Sequence, residues 1–118
     1  GTEFFPNRDF FRDCIIMLEN GSPYGSPLAG LHELRALDAA GMFQNAAGIL
    51  TGPLNEEEEK VLIRFLKYEA RREDIPVLSN VDFVHRTPMT VIPIGATAEI
   101  NCERASFSIL ESGVSITA

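Results

Sequence analysis

The chain has 118 residues, 45% of them hydrophobic and 23% charged. That is enough for one domain with its own core, and the composition excludes a disordered chain. Ten basic against seventeen acidic residues leave a net charge of −7. An acidic surface repels phosphate backbones, which argues against nucleic acid and against an anionic membrane as partners. The longest apolar run, Cys14 to Leu18, is far short of the ~20 residues that span a bilayer.

Residues 1–12 read as a lead-in, aromatic and turn-rich, with Phe4, Phe5 and Phe10 among the first ten. No signal peptide is evident there: Phe4 and Phe5 run at once into Pro6 and charges. The domain proper is expected over residues 13–118. Cys14-Ile15-Ile16-Met17-Leu18 predicts a strand buried on both faces, ending at Glu19. A turn cluster follows, Asn20-Gly21-Ser22-Pro23, and then Ser26-Pro27 as N-cap and first-turn proline of a helix. Leu28, Leu31, Leu34 and Leu37 keep helical spacing, and Gly41 supplies the stop. Ala47 to Thr51 predicts a second buried strand, closed by Gly52-Pro53.

Asn55 and Glu58 have the spacing of a capping box. The four glutamates 56–59 suit the positive end of a helix dipole, and Arg71 and Arg72 suit the negative end. Val61, Leu62, Phe65 and Leu66 make the apolar stripe between them. Val77 to Asn80 predicts a third strand and residues 80–88 a loop. Three β-like runs follow: Thr90 to Ile94, Ala96 to Cys102 and Ser106 to Glu111. Within the second, Thr97, Glu99 and Asn101 alternate with Ala98, Ile100 and Cys102, as in a half-exposed antiparallel strand. The order βαβαβ followed by βββ gives an α/β domain: parallel strands with crossover helices, and a β-meander as a second layer.

Ligands in open α/β sheets gather beyond the carboxyl ends of strands. Glu19 ends the first strand and His85 lies in the loop after the third. A carboxylate beside an imidazole holds its tautomer and stabilises the imidazolium, so the pair can work as a general base. No serine lies in a Gly-x-Ser-x-Gly elbow. The glycines of Gly21-Ser22-Pro23-Tyr24-Gly25-Ser26-Pro27 make a poor oxyanion cradle, since each serine is followed by a proline without an N–H. Glu56 to Glu59 point in different directions on a helix, and no His/Cys/Asp cluster, His32 included, has metal-ligand spacing. Cys14 and Cys102 fit two reduced thiols of a cytosolic protein. No metal or organic cofactor is expected. On chemistry alone, this is half of a site without its nucleophile.

Four motifs together resemble the LD-carboxypeptidase family of serine peptidases, closest to the branch of the microcin C immunity peptidases. They are Ile15-Ile16-Met17-Leu18-Glu19, Ala40-Gly41-Met42-Phe43, Gly48-Ile49-Leu50-Thr51-Gly52, and the run Asn80 to Met89 leading into Ile92-Pro93-Ile94-Gly95-Ala96-Thr97-Ala98-Glu99-Ile100. The resemblance runs in order from Asp13 to Val114. It implies a swivelling β/β/α three-layer fold for a C-terminal domain. It implies that Glu19 and His85 are two members of a Ser–His–Glu triad, with the serine in a separate N-terminal domain. It further implies a cytoplasmic peptidase of peptide substrates, either murein tetrapeptide, cut in cell-wall recycling, or a peptidyl-nucleotide, in a family where homodimers are common. Two positions depart from the family pattern. Val84 stands where the family usually has glycine, and a positive φ there would strain a valine. His32 stands where the family tends to carry arginine. The alternative is a non-catalytic binding or interaction module on the same fold. A nucleotide-binding α/β domain would need a Gly-rich phosphate loop that the chain lacks.

Overall fold

The structure, a computed structural model, describes residues 3–19, 27–83 and 90–116. Its elements in chain order are β1 (Ile15–Leu18), α1 (Pro27–Ala39), β2 (Gly48–Thr51), α2 (Glu56–Arg64), β3 (Val77–Leu78), β4 (Ala98–Asn101) and β5 (Ser106–Ile109). Strands β1, β2 and β3 form one parallel sheet in that order. Strands β4 and β5 form a separate antiparallel hairpin, pairing Ala98 with Ile109 and Asn101 with Ser106.

Side-chain parity explains the layering. Along β1 and β2, Ile16 and Ile49 belong to the buried core, with Cys14 and Leu18 packed at its margin. Leu62, Phe65 and Leu66 join them from the second helix, and Leu31, Leu34 and Leu37 border the cluster from α1. Phe43 and Phe65 meet edge-on in its centre, 5.7 Å between ring centroids. Successive strand residues point to opposite faces. Ile15, Met17, Gly48 and Leu50 therefore face away from the helices, towards the hairpin. The hairpin approaches the sheet at Gly48, where a Cβ would lie 2.8 Å from Ile100 Cδ1. Away from that point they are separated by a cleft of about 520 Å³, with Ile15, Met17 and Leu50 on one wall and Phe107 and Ile109 on the other. The result is an α/β domain in three layers: helices, parallel sheet, hairpin.

The local signals for the two helices hold in the structure. Helix α1 starts at Pro27, while Ser26 and the turn cluster lie outside the described residues. The helix closes in a Schellman arrangement: Gly41 adopts φ +89°, its N–H donates to Asp38 O (2.8 Å), and Met42 N–H donates to Leu37 O (3.1 Å). A glycine at that position avoids the Cβ cost of a left-handed conformation. Helix α2 has both halves of its capping box. Glu58 N–H donates to Asn55 Oδ1, and Asn55 N–H donates to Glu58 Oε2, each at 2.9 Å. Glu56 pairs with Lys60 one turn on.

Other expectations need correction. Thr90 to Ile94 is not a strand. Pro93 has no N–H for a ladder, and the chain turns directly after it, with Gly95 at φ +88°. The second layer is thus a two-stranded hairpin rather than a three-stranded meander. Cys102 lies in the exposed turn between β4 and β5, not on a strand. The run Cys14 to Leu18 is an edge strand whose one fully buried residue is Ile16; the strand buried throughout is β2, at the centre of the sheet. The third strand shrinks to Val77–Leu78. The second helix continues as a single π turn over Phe65–Glu69, which keeps Phe65, Leu66 and Ala70 all buried. Arg72 does more than face a helix dipole. Its guanidinium donates to the carbonyls of Phe43, Gln44 and Ala46 and pairs with Asp74, so it ties the end of the second helix to the loop before β2. In the lead-in, Arg8–Phe11 form a 3₁₀ turn capped by Asn7, and Phe11 enters the core.

Candidate functional site at the carboxyl edge of the parallel sheet

Parallel strands with crossover helices on one face leave their carboxyl ends together along one edge, where the connecting loops can converge on a ligand. Three segments meet there. Glu19 follows the last residue of β1 and is exposed, and Gly52 N–H donates to Leu18 O just before it (3.3 Å). The loop from β2 into α2 is tied to the exit of β3 by Leu54 N–H donating to Asn80 Oδ1 (3.2 Å). Asn80 takes φ +61° and lets the chain turn back over the sheet edge, where Val81 N–H donates to Thr51 O (2.9 Å). Asn suits that turn because it tolerates the left-handed region better than most residues. Further on, Thr90 N–H donates to Asp82 O (2.5 Å), so the chain returns to the point from which it left.

Residues 84–89, with His85 and Val84, lie outside the described residues. Of the sequence-predicted pair, the structure therefore places Glu19, at the carboxyl edge. His32 is exposed on α1 and is not part of the edge. The glutamate run is divided between tasks: Glu58 closes the capping box, Glu56 holds Lys60, and Glu59 accepts from Ser79 Oγ at 3.5 Å. Among the described residues no group of three or more His, Cys, Asp or Glu side chains converges as metal ligands would.

Beside Glu19 a cleft of about 130 Å³ runs between α1 and α2. Its floor is apolar: Leu18, Leu34, Leu37, Leu54, Val61 and Leu62. Glu19, Glu33, Glu58 and Gly30 stand around it, and among the described residues no atom lies within 4 Å of where a Cβ at Gly30 would be. The sequence pattern by itself does not reveal this cleft. The signal available was Gly30, an isolated glycine inside a helical leucine pattern. Such a glycine either costs stability or answers a local need for space.

Charge elsewhere on the helix layer is structural. Arg35 of α1 holds Glu69 of the π turn in a two-pronged ion pair, 2.6 and 2.8 Å. The hydrogen bond from Arg35 holds the Glu69 carboxyl below its ordinary range. Near it, burial, and then the charge of Glu69, push the Asp38 carboxyl up, with Arg8 opposing. None of these groups lines the cleft by Glu19.

Among the described residues no helix is long and apolar enough to cross a membrane. Comparison with known proteins agrees with the architecture. The sequence model of the LD-carboxypeptidase C-terminal domain matches residues 1–100. A protein of Treponema pallidum (strain Nichols) named "Putative carboxypeptidase" is 28% identical over 112 residues. That alignment covers 92% of this chain and 32% of the Treponema protein, so the chain spans about a third of its relative's length. The four sequence motifs, the three-layer α/β architecture and the family match over most of the chain lead to one assignment: this chain belongs to the LD-carboxypeptidase C-terminal domain family, a family of serine peptidases.

Proposed function

We propose that this chain is the C-terminal domain of a serine-type LD-carboxypeptidase, in which it supplies Glu19 and His85 to a Ser–His–Glu triad. The nucleophilic serine comes from an N-terminal domain of the same protein, to which residues 1–12 lead. The observation that carries the proposal is the family match over residues 1–100, which spans the β1 motif ending in Glu19 and the loop containing His85. The exposed position of Glu19 at the carboxyl edge of the sheet supports it, because there a second domain can reach it. His85 takes the proton of the serine hydroxyl as that oxygen attacks the scissile carbonyl, and it later gives a proton to the leaving amine. Glu19 orients the ring and stabilises its charged form. The chain by itself, lacking a nucleophile, is inactive.

The substrate is a peptide with an amide next to a free carboxylate or an aminoacyl group. Murein tetrapeptide in cell-wall recycling and a microcin C-type peptidyl-nucleotide are the two candidates, both met in the cytoplasm. The test is made in the protein that carries both domains, with release of terminal D-alanine from murein tetrapeptide and cleavage of a peptidyl-nucleotide as readouts. Glu19→Gln and His85→Ala should each lower kcat by about 10³–10⁴-fold on the substrate the protein cleaves. A loss under about tenfold for both overturns the triad. Val84 favours one other reading: with valine where the family usually has glycine, the domain serves as a binding module without catalysis. On that reading neither peptide is cleaved by the two-domain protein, and Val84→Gly is the variant that restores turnover.

A further inference from the structure

Two side chains on separate segments work as one pair only if the segments keep their spacing, to within about 0.5 Å in productive sites. Glu19 follows β1, and the chain that carries His85 leaves the sheet after β3. β1 and β3 are not neighbours, because β2 lies between them. Their carboxyl ends are joined through the end of β2, by residues 51–54. Towards β1, Gly52 N–H donates to Leu18 O, in the residue before Glu19 (3.3 Å). Towards β3, Thr51 O accepts from Val81 N–H (2.9 Å), and Leu54 N–H donates to Asn80 Oδ1 (3.2 Å). The segment between these ties is stiff. Thr51 is sealed from water, its hydroxyl donates to Gly52 O (3.0 Å), and the ring of Pro53 fixes its own φ.

Of those three ties, only the one from Leu54 ends on a side chain. Asn80 is exposed, and its amide nitrogen reaches Ser79 Oγ only at 3.4 Å, so its oxygen is the working end. Its φ of +61° turns the chain at this point. Two residues on, Asp82 O accepts from Thr90 N–H (2.5 Å), which closes the base of the segment bearing His85. A shift at Asn80 therefore moves both ends of that segment together. We infer that residues 51–54 are a strut that sets the spacing between Glu19 and the His85 segment, and that Asn80 is the positioning residue that ties the segment to it. The role in catalysis rests on the triad reading of Glu19 and His85; the tether itself does not.

The test is made in the two-domain protein, with Glu19→Gln and His85→Ala measured alongside. Asn80→Gly keeps a residue suited to a positive φ and removes the acceptor. Asn80→Asp keeps an acceptor oxygen in the same place. A misplacement of about 1 Å costs up to about 10²-fold, so Asn80→Gly should lower kcat about 10- to 100-fold, with KM within about twofold of the parent. Its melt should stay within about 5 °C, since the lost bond is at the surface. Asn80→Asp should keep kcat within about threefold. In the 118-residue chain, which reports on the tether without catalysis, the Leu54 amide should exchange about tenfold faster in Asn80→Gly than in Asn80→Asp. The inference is overturned if Asn80→Gly keeps kcat within about twofold, if its melt falls further than stated, or if the change is in KM alone. Equal loss of kcat in the two variants, or equal Leu54 exchange, also overturns it. Retained activity in Glu19→Gln and His85→Ala overturns the triad and with it the catalytic role, whereas failure of the tether alone leaves their losses in place.

Discussion

The two halves of the molecule solve the problem of burial differently. From Phe11 to Ile75 apolar residues converge on one core, and Phe43, Ile49 and Phe65 are all but sealed from water. From Thr90 onward no described residue belongs to the core; Ile92, Ile100, Phe107 and Ile109 are only half-buried, and others face out: Val91 is 92% exposed, Ile94 84% and Ile116 97%. The hairpin meets the sheet closely at Gly48 and leaves the rest of the interface open. A two-stranded hairpin is marginal by itself and depends on what it packs against. The helix-covered half therefore carries the stability of the fold, and the hairpin half is held by few contacts.

That contrast can be broken most directly by equivalent truncations. Phe65→Ala removes a ring packed against Phe43 in a closed core, and should cost about 3–5 kcal/mol in urea unfolding. Phe107→Ala removes a half-buried ring that lines the open cleft, and should cost no more than about 1.5 kcal/mol, since little close packing is lost. Equal losses would mean that both halves share one tight core. Next in size is Arg72→Ala, which leaves the carbonyls of Phe43, Gln44 and Ala46 without their charged donor. It should lower stability by about 2–3 kcal/mol, and native-state hydrogen exchange should speed up in the loop before β2 ahead of the hairpin.

The smallest effect concerns pH. Glu69 has its carboxyl lowered from the ordinary 4.5, chiefly by the Arg35 hydrogen bond. Its contribution is present above that value and is lost as pH falls through the lowered folded one. Asp38 works in the opposite sense: its carboxyl is raised above 3.8 by burial, so protonation on acidification favours the fold. Arg35→Met should therefore flatten the acid limb. Between neutral pH and about pH 3 the variant should lose less stability than the parent chain. A limb as steep in the variant as in the parent chain would show that the Arg35–Glu69 pair does not set the acid response.

Legibility in the sequence followed the range of the interactions. Pro27, Gly41, Asn55 and Glu58 act within one turn of their own position, and each marks the helix end expected of it. Burial did not read as well. Cys14 to Leu18 and Gly48 to Thr51 are both short apolar runs, and only sheet order makes one an edge and the other the centre. Thr90 to Ile94 has strand composition, yet Pro93 and the turn at Gly95 withdraw it from any ladder. For the site, Glu19 was legible because it ends a strand, whereas the cleft beside it draws its lining from several elements spread between Leu18 and Leu62.

The sequence by itself therefore determined the alternation of strands and helices, the helix ends and the family, because caps, turns and motifs are local and carry their own chemistry. Only the tertiary structure decided which strand lies at the centre, that the hairpin forms its own layer, and that an apolar cleft lies beside Glu19. Those outcomes depend on which faces meet across the sheet, and that is set by packing between elements rather than by any residue's neighbours in the chain.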